Sequence, residues 1–198
     1  MTATTDMYGN PTPVTRKIRS FGSEPTVAIT GTGIATLAQV AFLTYAVLVE
    51  RGVADTDQAT WVVWLAVIVI GMLTGYGTLL RWMFAVRSRL LLAGYDSPAP
   101  WKLWAAWIIP IYNFWGPYKV FGAFRVRVRR PSAWAAPTWW TAWVVFLVVD
   151  RIYSRIPETN ALTTGLLVLS IVAIVAAYAG LVVLIREISA SFVPRPAQ

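Results

Sequence analysis

The chain of 198 residues contains no cysteine and no histidine. Without cysteine there can be no disulfide, no thiolate nucleophile and no thiolate metal ligand, and without histidine the commonest metal and haem ligand is missing. The nine acidic residues are scattered rather than paired, which argues against a carboxylate metal cage or an acid–base dyad. The sequence therefore predicts no catalytic residue, no metal and no cofactor, and we expect a protein that is not an enzyme.

Charged residues are scarce as well. They make up 13% of the chain, whereas 57% is hydrophobic and the mean hydropathy is +0.59. Soluble domains carry about a quarter of charged residues, so this composition indicates an integral membrane protein. The net charge of +8 comes from Lys and Arg residues that mostly flank the apolar runs. We therefore expect anionic membrane lipids, and not nucleic acid, as their partners.

Five charge-free stretches divide the chain. A helix needs about 20 apolar residues to cross a bilayer core of about 30 Å, and four of the stretches meet this length. The first stretch is too long for the apolar region of a signal peptide, which indicates a retained membrane anchor. The predicted spans cover about residues 27–49, 61–80, 134–152 and 161–185.

The third predicted span has two candidate start positions. Ser132 is a plausible N-cap, and Thr138 follows Pro137, which suits a first helical turn. In the second case the helix extends to about Ile156 and carries Asp150 and Arg151 into the membrane boundary.

The remaining stretch, Leu103–Tyr118, is the exception. It would cover only about 24 Å as a straight helix, and Pro110, Asn113 and Pro117 interrupt it. We call residues 101–130 the elbow and predict a re-entrant or interfacial segment that does not cross. This topology places 14 of the 17 Lys and Arg residues on the cytoplasmic side, against nine if the elbow crosses, and cytoplasmic loops collect positive residues.

The predicted architecture is thus an all-α integral membrane protein of four transmembrane helices in the bacterial cytoplasmic membrane, with both termini in the cytoplasm. A flexible tail (residues 1–26) precedes the polytopic membrane domain (residues 27–186), and a second tail (residues 187–198) follows it. Residues 1–26 lack hydrophobic periodicity, which is typical of a flexible segment.

The end of the elbow, Pro117–Arg130, reads PYKVFGAFRVRVRR. Wound as a helix, it places its apolar residues within one arc of about 100°. The pattern predicts an amphipathic, basic helix at the membrane surface, whose cations contact lipid headgroups or act only as a topology determinant. The candidate headgroup contacts are Lys119, Arg125, Arg127, Arg129 and Arg130.

Tryptophan is concentrated in the centre of the chain: nine of the eleven lie between Trp82 and Trp143. One interpretation is an aromatic belt at the headgroup level. The other is a pocket for a lipid tail or an apolar ligand, in which Asn113 satisfies freed backbone groups or binds the ligand. The candidate pocket residues are Trp101, Trp104, Trp107, Pro110, Asn113, Trp115 and Pro117.

Two further pairs have a predicted role. Gly71 and Gly75 have the GxxxG spacing that lets helices approach closely, and packing within one bundle explains it. Asp150 and Arg151 form a candidate polar pair at the membrane boundary, which needs partners if it is buried and is ordinary loop charge if it is not.

Several of these residues together resemble a known family. The run Trp82–Gly94, Pro100-Trp101 with Trp104, and Pro110-Ile111-Tyr112-Asn113 with Pro117-Tyr118 is similar to an actinobacterial membrane family catalogued as domain of unknown function 4328. Trp139, Trp140 and Trp143 fit its following helix, and the likeness covers about residues 60–185. Family members often have Arg where this chain has Ala85, and Asn where it has Arg89. The resemblance implies a membrane protein and supplies no activity or substrate.

The expected function is therefore that of a non-catalytic membrane protein, an accessory, scaffolding or regulatory component of a membrane assembly with a possible protein partner. A proton pathway or hydrolytic centre needs titratable groups inside the membrane, and few are available. The alternatives are a small channel or transporter, with Asn113 and Asp150 lining its route, a lipid-binding protein, and a phage-exclusion or immunity factor.

Overall fold

All the regular secondary structure in the part of the chain that the structure describes is helical. The structure, a computed structural model, describes residues 20–54, 57–156 and 161–193, and these ranges contain no strand. The helices are α1 (Glu24–Glu50), α2 (Gln58–Leu92), α3 (Pro100–Ile108), α4 (Pro110–Asn113), α5 (Gly116–Phe124), a 3₁₀ turn (Arg125–Arg127), α6 (Ala135–Tyr153) and α7 (Ala161–Ala190).

The two N-terminal helices begin and end at residues that suit helix termini. Asp57 caps α2 by accepting a hydrogen bond from the backbone N–H of Thr60 at 2.7 Å. Hydrogen bonds from Thr60, through its side chain and its backbone, hold the pKa of Asp57 below its ordinary value. Gly52 after α1 and Gly94 after α2 adopt φ of +67° and +78°, a conformation that ends helices. α2 continues beyond the predicted span of residues 61–80 and ends at Leu92.

Prolines break the elbow into short helices. Pro100 begins α3, Pro110 begins α4 and Pro117 is in the first turn of α5. Proline suits the first turn of a helix because its missing N–H needs no partner there. The longest helices of the elbow consequently have nine residues.

The predicted amphipathic helix is shorter than expected. The α-helix ends at Phe124, a 3₁₀ turn follows, and Val128 is extended with ψ of 109°, so the helix does not reach Arg130. Arg125 there pairs with Glu187 and donates to the carbonyl of Ser132, contacts that hold the chain against α7, and Pro131 disfavours a helical conformation at Arg130, the residue before it. The predicted apolar arc is present, and its four helical members are buried: Pro117, Val120, Phe121 and Phe124.

The C-terminal helices also differ from the predicted bounds. α6 begins at Ala135, between the two predicted starts, and includes Asp150 and Arg151. α7 continues to Ala190, so residues 187–190 are helix and not tail. Ile188 and Ser189 are buried in the bundle, and this packing holds the last turn. Of the predicted N-terminal tail, residues 24–26 belong to α1 and residues 20–23 precede it, while residues 191–193 follow α7. The remaining tail residues, 1–19 and 194–198, lie outside the described residues.

Three helices, α1, α2 and α7, are long and apolar enough to cross a membrane. The sequence predicted four spans, and three helices in the described ranges satisfy this criterion of length and hydropathy. The fourth candidate, α6, has 19 residues and contains three tryptophans, Asp150 and Arg151, which lower its hydropathy. Large apolar side chains are exposed on α2, among them Leu65 (62%) and Ile70 (65%). Such a surface suits lipid and not water, and these findings indicate a membrane protein.

The long helices lie side by side in the order α2, α1, α7, α6, and the elbow stands between α2 and α6. We call the end of the bundle that holds the start of α1 and the end of α7 the elbow end. The main core is at this end, and its largest buried side chains include Trp82, Phe121, Phe124 and Trp139. A smaller cluster of Leu43, Ala46 and Leu167 lies toward the other end, which we call the opposite end.

Candidate functional site

The two ends of the elbow lie at the same end of the bundle. The guanidinium of Arg127, at the end of the elbow, is 5.6 Å from the ring centre of Tyr95, which precedes the elbow. It is also 5.0 Å from the ring centre of Phe192, which follows α7. The elbow therefore leaves from the elbow end and returns to it.

An ion pair ties the elbow to α7. Arg125 and Glu187 are 3.5 Å apart, and about one sixth of each side chain is exposed at 17% and 16%. Arg125 also donates to the carbonyl of Ser132 at 2.7 Å. Ser132 in turn donates to Glu187 through its backbone N–H at 3.0 Å and through its hydroxyl. This network holds the segment between the elbow and α6 against α7.

A second ion pair joins α1 and α2 at the same end. Arg89 and Glu24 are 3.3 Å apart, and the guanidinium of Arg89 lies 3.9 Å from the ring centre of Phe21. Phe21 contacts Phe192 edge-on at 5.5 Å. The chain before α1 is thereby connected to the chain after α7.

A buried hydrogen bond joins α2 to α7. The indole N–H of Trp82 donates to the hydroxyl of Ser189 at 3.0 Å. The ring of Trp82 stacks on Phe121 of the elbow at 6.0 Å, and Phe121 contacts Trp139 of α6 at 4.7 Å. These aromatic rings connect α2, the elbow and α6 in one core.

The tip of the elbow contacts α6 through indole groups. Trp140 donates to the carbonyl of Phe114 at 2.7 Å, and Trp143 donates to the side-chain oxygen of Asn113 at 3.4 Å. Ile108 and Ile111 at this tip are 67% and 72% exposed. The tip is held on one side and presents apolar side chains on the other.

A central cavity of about 100 Å³ is lined by residues of α1, α2, α6 and α7 and by Trp107 of the elbow. Trp107 is at its elbow side, with ring centres 5.7 Å from Tyr76 of α2 and 6.0 Å from Trp143 of α6. Its lining is mostly aromatic and aliphatic. Sequence reasoning missed this cavity, although Thr32, Thr36 and Gln39, which line it from α1, follow a helical spacing that marks one face.

The candidate pocket residues do not all meet at this cavity. Among its candidates Trp107 lines the central cavity, whereas Trp101, Trp104 and Trp115 are 52%, 44% and 42% exposed. Asn113 accepts its hydrogen bond from Trp143, and Pro117 is buried in the core of the elbow. Pro110 begins α4.

The five predicted headgroup contacts fall into two groups. Arg125 is paired with Glu187, and Arg127 lies against aromatic rings. Lys119, Arg129 and Arg130 are exposed at the elbow end. The side chains of Arg125 and Arg127 are only partly exposed.

Gly71 and Gly75 are buried between α1 and α2. A Cβ atom at Gly75 would lie 2.7 Å from that of Ala35, and one at Gly71 would lie 2.9 Å from that of Ala38. These distances are too short for carbon atoms, so α1 and α2 approach closely because neither glycine has a side chain.

At the opposite end, Glu50 joins three helices. Its carboxylate accepts hydrogen bonds from the hydroxyl of Tyr153 at 2.9 Å and from that of Thr164 at 3.1 Å. Asp150 and Arg151 are both exposed near this contact. The sequence contained no signal for this link, because Glu50 and Tyr153 are 103 residues apart.

Acidic side chains in the described ranges do not gather into a group of three or more that could hold a metal ion. Three of them, Glu24, Glu50 and Glu187, instead hold helices together through the contacts given above.

The comparisons with known proteins give one match. The family model described as Domain of unknown function (DUF4328) matches residues 45–190, more than half of the chain. No curated protein and no solved structure matches the chain. The resemblance found in the elbow residues is confirmed, the family description assigns no activity, and the actinobacterial source stays a prediction.

Proposed function

This chain belongs to the DUF4328 family, and we propose that it is a non-catalytic accessory or scaffolding protein of the bacterial cytoplasmic membrane. In this proposal four helices cross the bilayer, the elbow re-enters it without crossing, and both termini are cytoplasmic. The observation that carries it is that Tyr95, Arg127 and Phe192 meet at one end of the bundle.

The crossing of α6 is supported by its contacts. Near its start, Trp139 packs against Gly180 of α7, where a Cβ atom would lie 2.8 Å from that of Trp139. At its end, Tyr153 reaches Glu50 at the opposite end of the bundle. A helix of 19 residues covers about 28 Å, close to the bilayer core. α6 therefore packs along α7 from the elbow end to the opposite end, over about the thickness of the bilayer core.

The re-entrant placement of the elbow is supported by its surface. Its tip exposes Ile108, Ile109 and Ile111, while the backbone of α4 is hydrogen-bonded within the elbow and to Trp140. Non-helical backbone is tolerated at membrane depth where protein partners satisfy it. Trp107, which precedes the tip, contacts Tyr76 of α2 at 5.7 Å between ring centres. Because Tyr76 belongs to the predicted span 61–80, this contact supports the proposed depth of the elbow.

The orientation is supported by the distribution of charge. In the described ranges ten Lys and Arg residues lie at the elbow end or in the elbow, and Arg51, Arg151 and Arg155 lie at the opposite end. The positive-inside rule then makes the elbow end cytoplasmic. Anionic lipids of the inner leaflet are the proposed partners of its exposed cations, namely Arg81, Lys102, Lys119, Arg129, Arg130 and Arg186.

The topology is testable directly because the chain has no cysteine. Single variants Asp96→Cys, Arg130→Cys and Ser154→Cys place one thiol before the elbow, after it, and after α6, all at exposed positions. A membrane-impermeant maleimide should label only Ser154→Cys in intact cells and all three after lysis. Labelling of Arg130→Cys but not of Asp96→Cys in intact cells would show that the elbow crosses, and labelling of both would show the opposite orientation; either result would refute the proposal.

The accessory role is testable at the exposed indoles of the elbow. Trp101 and Trp104 are exposed by about half at the elbow end, whereas Val63 is exposed on α2. We expect a stoichiometric protein partner to copurify in mild detergent, to be lost in Trp101→Ala/Trp104→Ala, and to be retained in Val63→Ala. Absence of any partner from the wild-type extract would contradict this role, and solute flux in proteoliposomes would support the channel alternative instead.

A further inference from the structure

The central cavity is open on one side. Met72 lines it and is nevertheless 40% exposed, so the cavity reaches the surface beside α2. α1 and α7 form its floor, and α2 is joined to α6 mainly through the elbow in the part of the bundle that the structure describes. Toward the opposite end, therefore, the cavity continues as a groove between α2 and α6. The α2 wall exposes an apolar side chain there, since Leu65 lies seven residues before Met72 on the same face of the helix and is 62% exposed.

The groove is narrow. The single indole of Trp107 bridges α2 and α6, with ring-centre distances of 5.7 Å to Tyr76 and 6.0 Å to Trp143. An α-helix with its side chains is about 10–12 Å wide and cannot reach the cavity. A hydrocarbon chain, which has about the thickness of one aromatic ring, fits this gap.

The cavity offers an apolar surface despite its polar residues. The hydroxyls of Thr32 and Thr36 donate to carbonyls of their own helix at 2.7 and 2.9 Å. The hydroxyl of Tyr178 donates to the carbonyl of Ile29 at 3.2 Å. These three donors are already used within the protein, so an apolar ligand does not have to desolvate them. The indole N–H of Trp107, which also lines the cavity, is buried without a hydrogen-bond partner among the described residues, and Gln39 lines the cavity as well.

Charged groups stand at the open end of the groove. Trp143 and Phe146 line the cavity, and Asp150 follows them on the same face of α6 at helical spacing. Asp150 is about 10 Å from Trp143 along the helix axis, and Arg151 is next to it. Both are exposed. One anionic and one cationic side chain complement a headgroup that carries an ammonium and a phosphate.

We propose that the groove binds one acyl chain of an aminophospholipid, with its ammonium group at Asp150 and its phosphate at Arg151. The chain lies between α2 and α6 and ends against Trp107. This site uses the Asp150–Arg151 pair and the central cavity, neither of which the accessory role requires. The inference rests on the membrane placement of the bundle that the proposed function includes, but not on the orientation of the elbow. A failure of the proposed topology in the cysteine-labelling experiment is therefore distinct from a failure of lipid binding in the experiment below.

The test uses the full chain in lipid nanodiscs that contain phosphatidylethanolamine with a diazirine on its acyl chain. After illumination, mass spectrometry locates the covalent adducts. We expect adducts on the cavity side chains Tyr76, Trp107 and Trp143, in excess of those on Leu37 of α1 and Val172 of α7, which are 70% and 59% exposed. The same probe on phosphatidylglycerol should give about threefold fewer cavity adducts, as one weak charge contact implies.

A matched pair of variants ties the adducts to the cavity. Thr36 lines it, whereas Thr44 is exposed on the same helix, and each hydroxyl donates to the carbonyl four residues before it. Thr36→Phe fills the cavity and should abolish its adducts, while Thr44→Phe should leave them unchanged. Met72→Trp narrows the opening and serves if Thr36→Phe does not fold. Asp150→Asn with Arg151→Gln should remove the preference for phosphatidylethanolamine and keep the acyl-chain adducts.

The proposal is overturned if the wild-type adducts spread over exposed side chains and avoid the cavity, or if Thr36→Phe and Met72→Trp both fold and leave the cavity adducts unchanged. A groove that holds a second copy of this chain would give no cavity adducts. It would instead form disulfide-linked dimers in the Phe146→Cys variant, and that result also overturns the proposal.

Discussion

Arg125 and Glu187 are 62 residues apart in the sequence and 3.5 Å apart in the structure. The pair lies where the elbow ends and α7 leaves the main core, and most of both side chains is shielded from solvent. Arg125 thus stabilises the fold through this pair. From its position in the basic run at the end of the elbow, the sequence had also predicted a contact with lipid headgroups. An ion pair in this setting is supported by its additional hydrogen bonds to Ser132.

The first prediction concerns this pair. Glu187→Gln removes the charge that faces Arg125 and should lower the free energy of unfolding by about 2 kcal/mol, because a hydrogen bond to a charged group is lost. The measurement is thermal unfolding in mild detergent. Asp96→Asn, at an exposed loop position, is the control and should change little. Equal stability of Glu187→Gln and wild type would show that the pair has no structural role.

The second prediction concerns the close approach of α1 and α2. Gly75→Ala introduces a Cβ atom 2.7 Å from that of Ala35 and should destabilise the protein by about 2 kcal/mol, since the helices must separate. Gly77 is on the same helix with nothing within 4 Å. Gly77→Ala should therefore be neutral, or stabilising by up to about 1 kcal/mol. Similar unfolding curves for the two variants would contradict the close interface.

The third prediction concerns the tip of the elbow. Trp140→Phe removes the hydrogen bond to the carbonyl of Phe114, which is worth about 1 kcal/mol. Backbone amides of residues 111–116 should then exchange their hydrogens about fivefold faster, as measured by mass spectrometry. Trp134→Phe, at a position that is 54% exposed, should leave this exchange unchanged. Unaltered exchange in Trp140→Phe would mean that the elbow holds its tip without α6.

The fourth prediction concerns the exposed cations. Lys119→Gln with Arg130→Gln should weaken the retention of phosphatidylglycerol by about 2 kcal/mol, or roughly 30-fold, because each cation near an anionic surface contributes about 1 kcal/mol. Native mass spectrometry of the purified protein measures the bound lipid. Arg51→Gln with Arg155→Gln removes the same charge at the opposite end and should have a small effect. An equal loss in both doubles would exclude a specific inner-leaflet site.

Much of the helical organisation was predictable from the sequence. The apolar stretches predicted α1, α2 and α7, and the prolines predicted that the helix is interrupted in the elbow, because both signals act over a few neighbouring residues. The end of α5 was misjudged. The Arg-Val alternation fits the polar side of a helix, but Pro131 and the contacts of Arg125 and Arg127 stop the helix before that pattern ends.

The candidate site was less predictable. Of the tryptophans proposed for a pocket, only Trp107 lines the cavity, because its ring alone extends between α2 and α6. Tyr76 and Tyr178, which also line it, carried no distinguishing pattern in the sequence. Their importance depends on which helices become neighbours, and an amphipathic pattern does not specify a neighbour.

The amino-acid sequence alone determined the membrane character of this protein, the places where its helices break, and its family, since these depend on composition and on short motifs. The tertiary structure decided which charges became internal. Glu24 is paired with Arg89, and Glu187 with Arg125, across more than 60 residues each. It also decided where a cavity was left. Such pairs and voids arise only when the helices pack, because their free energy depends on distances between segments that the chain order does not fix.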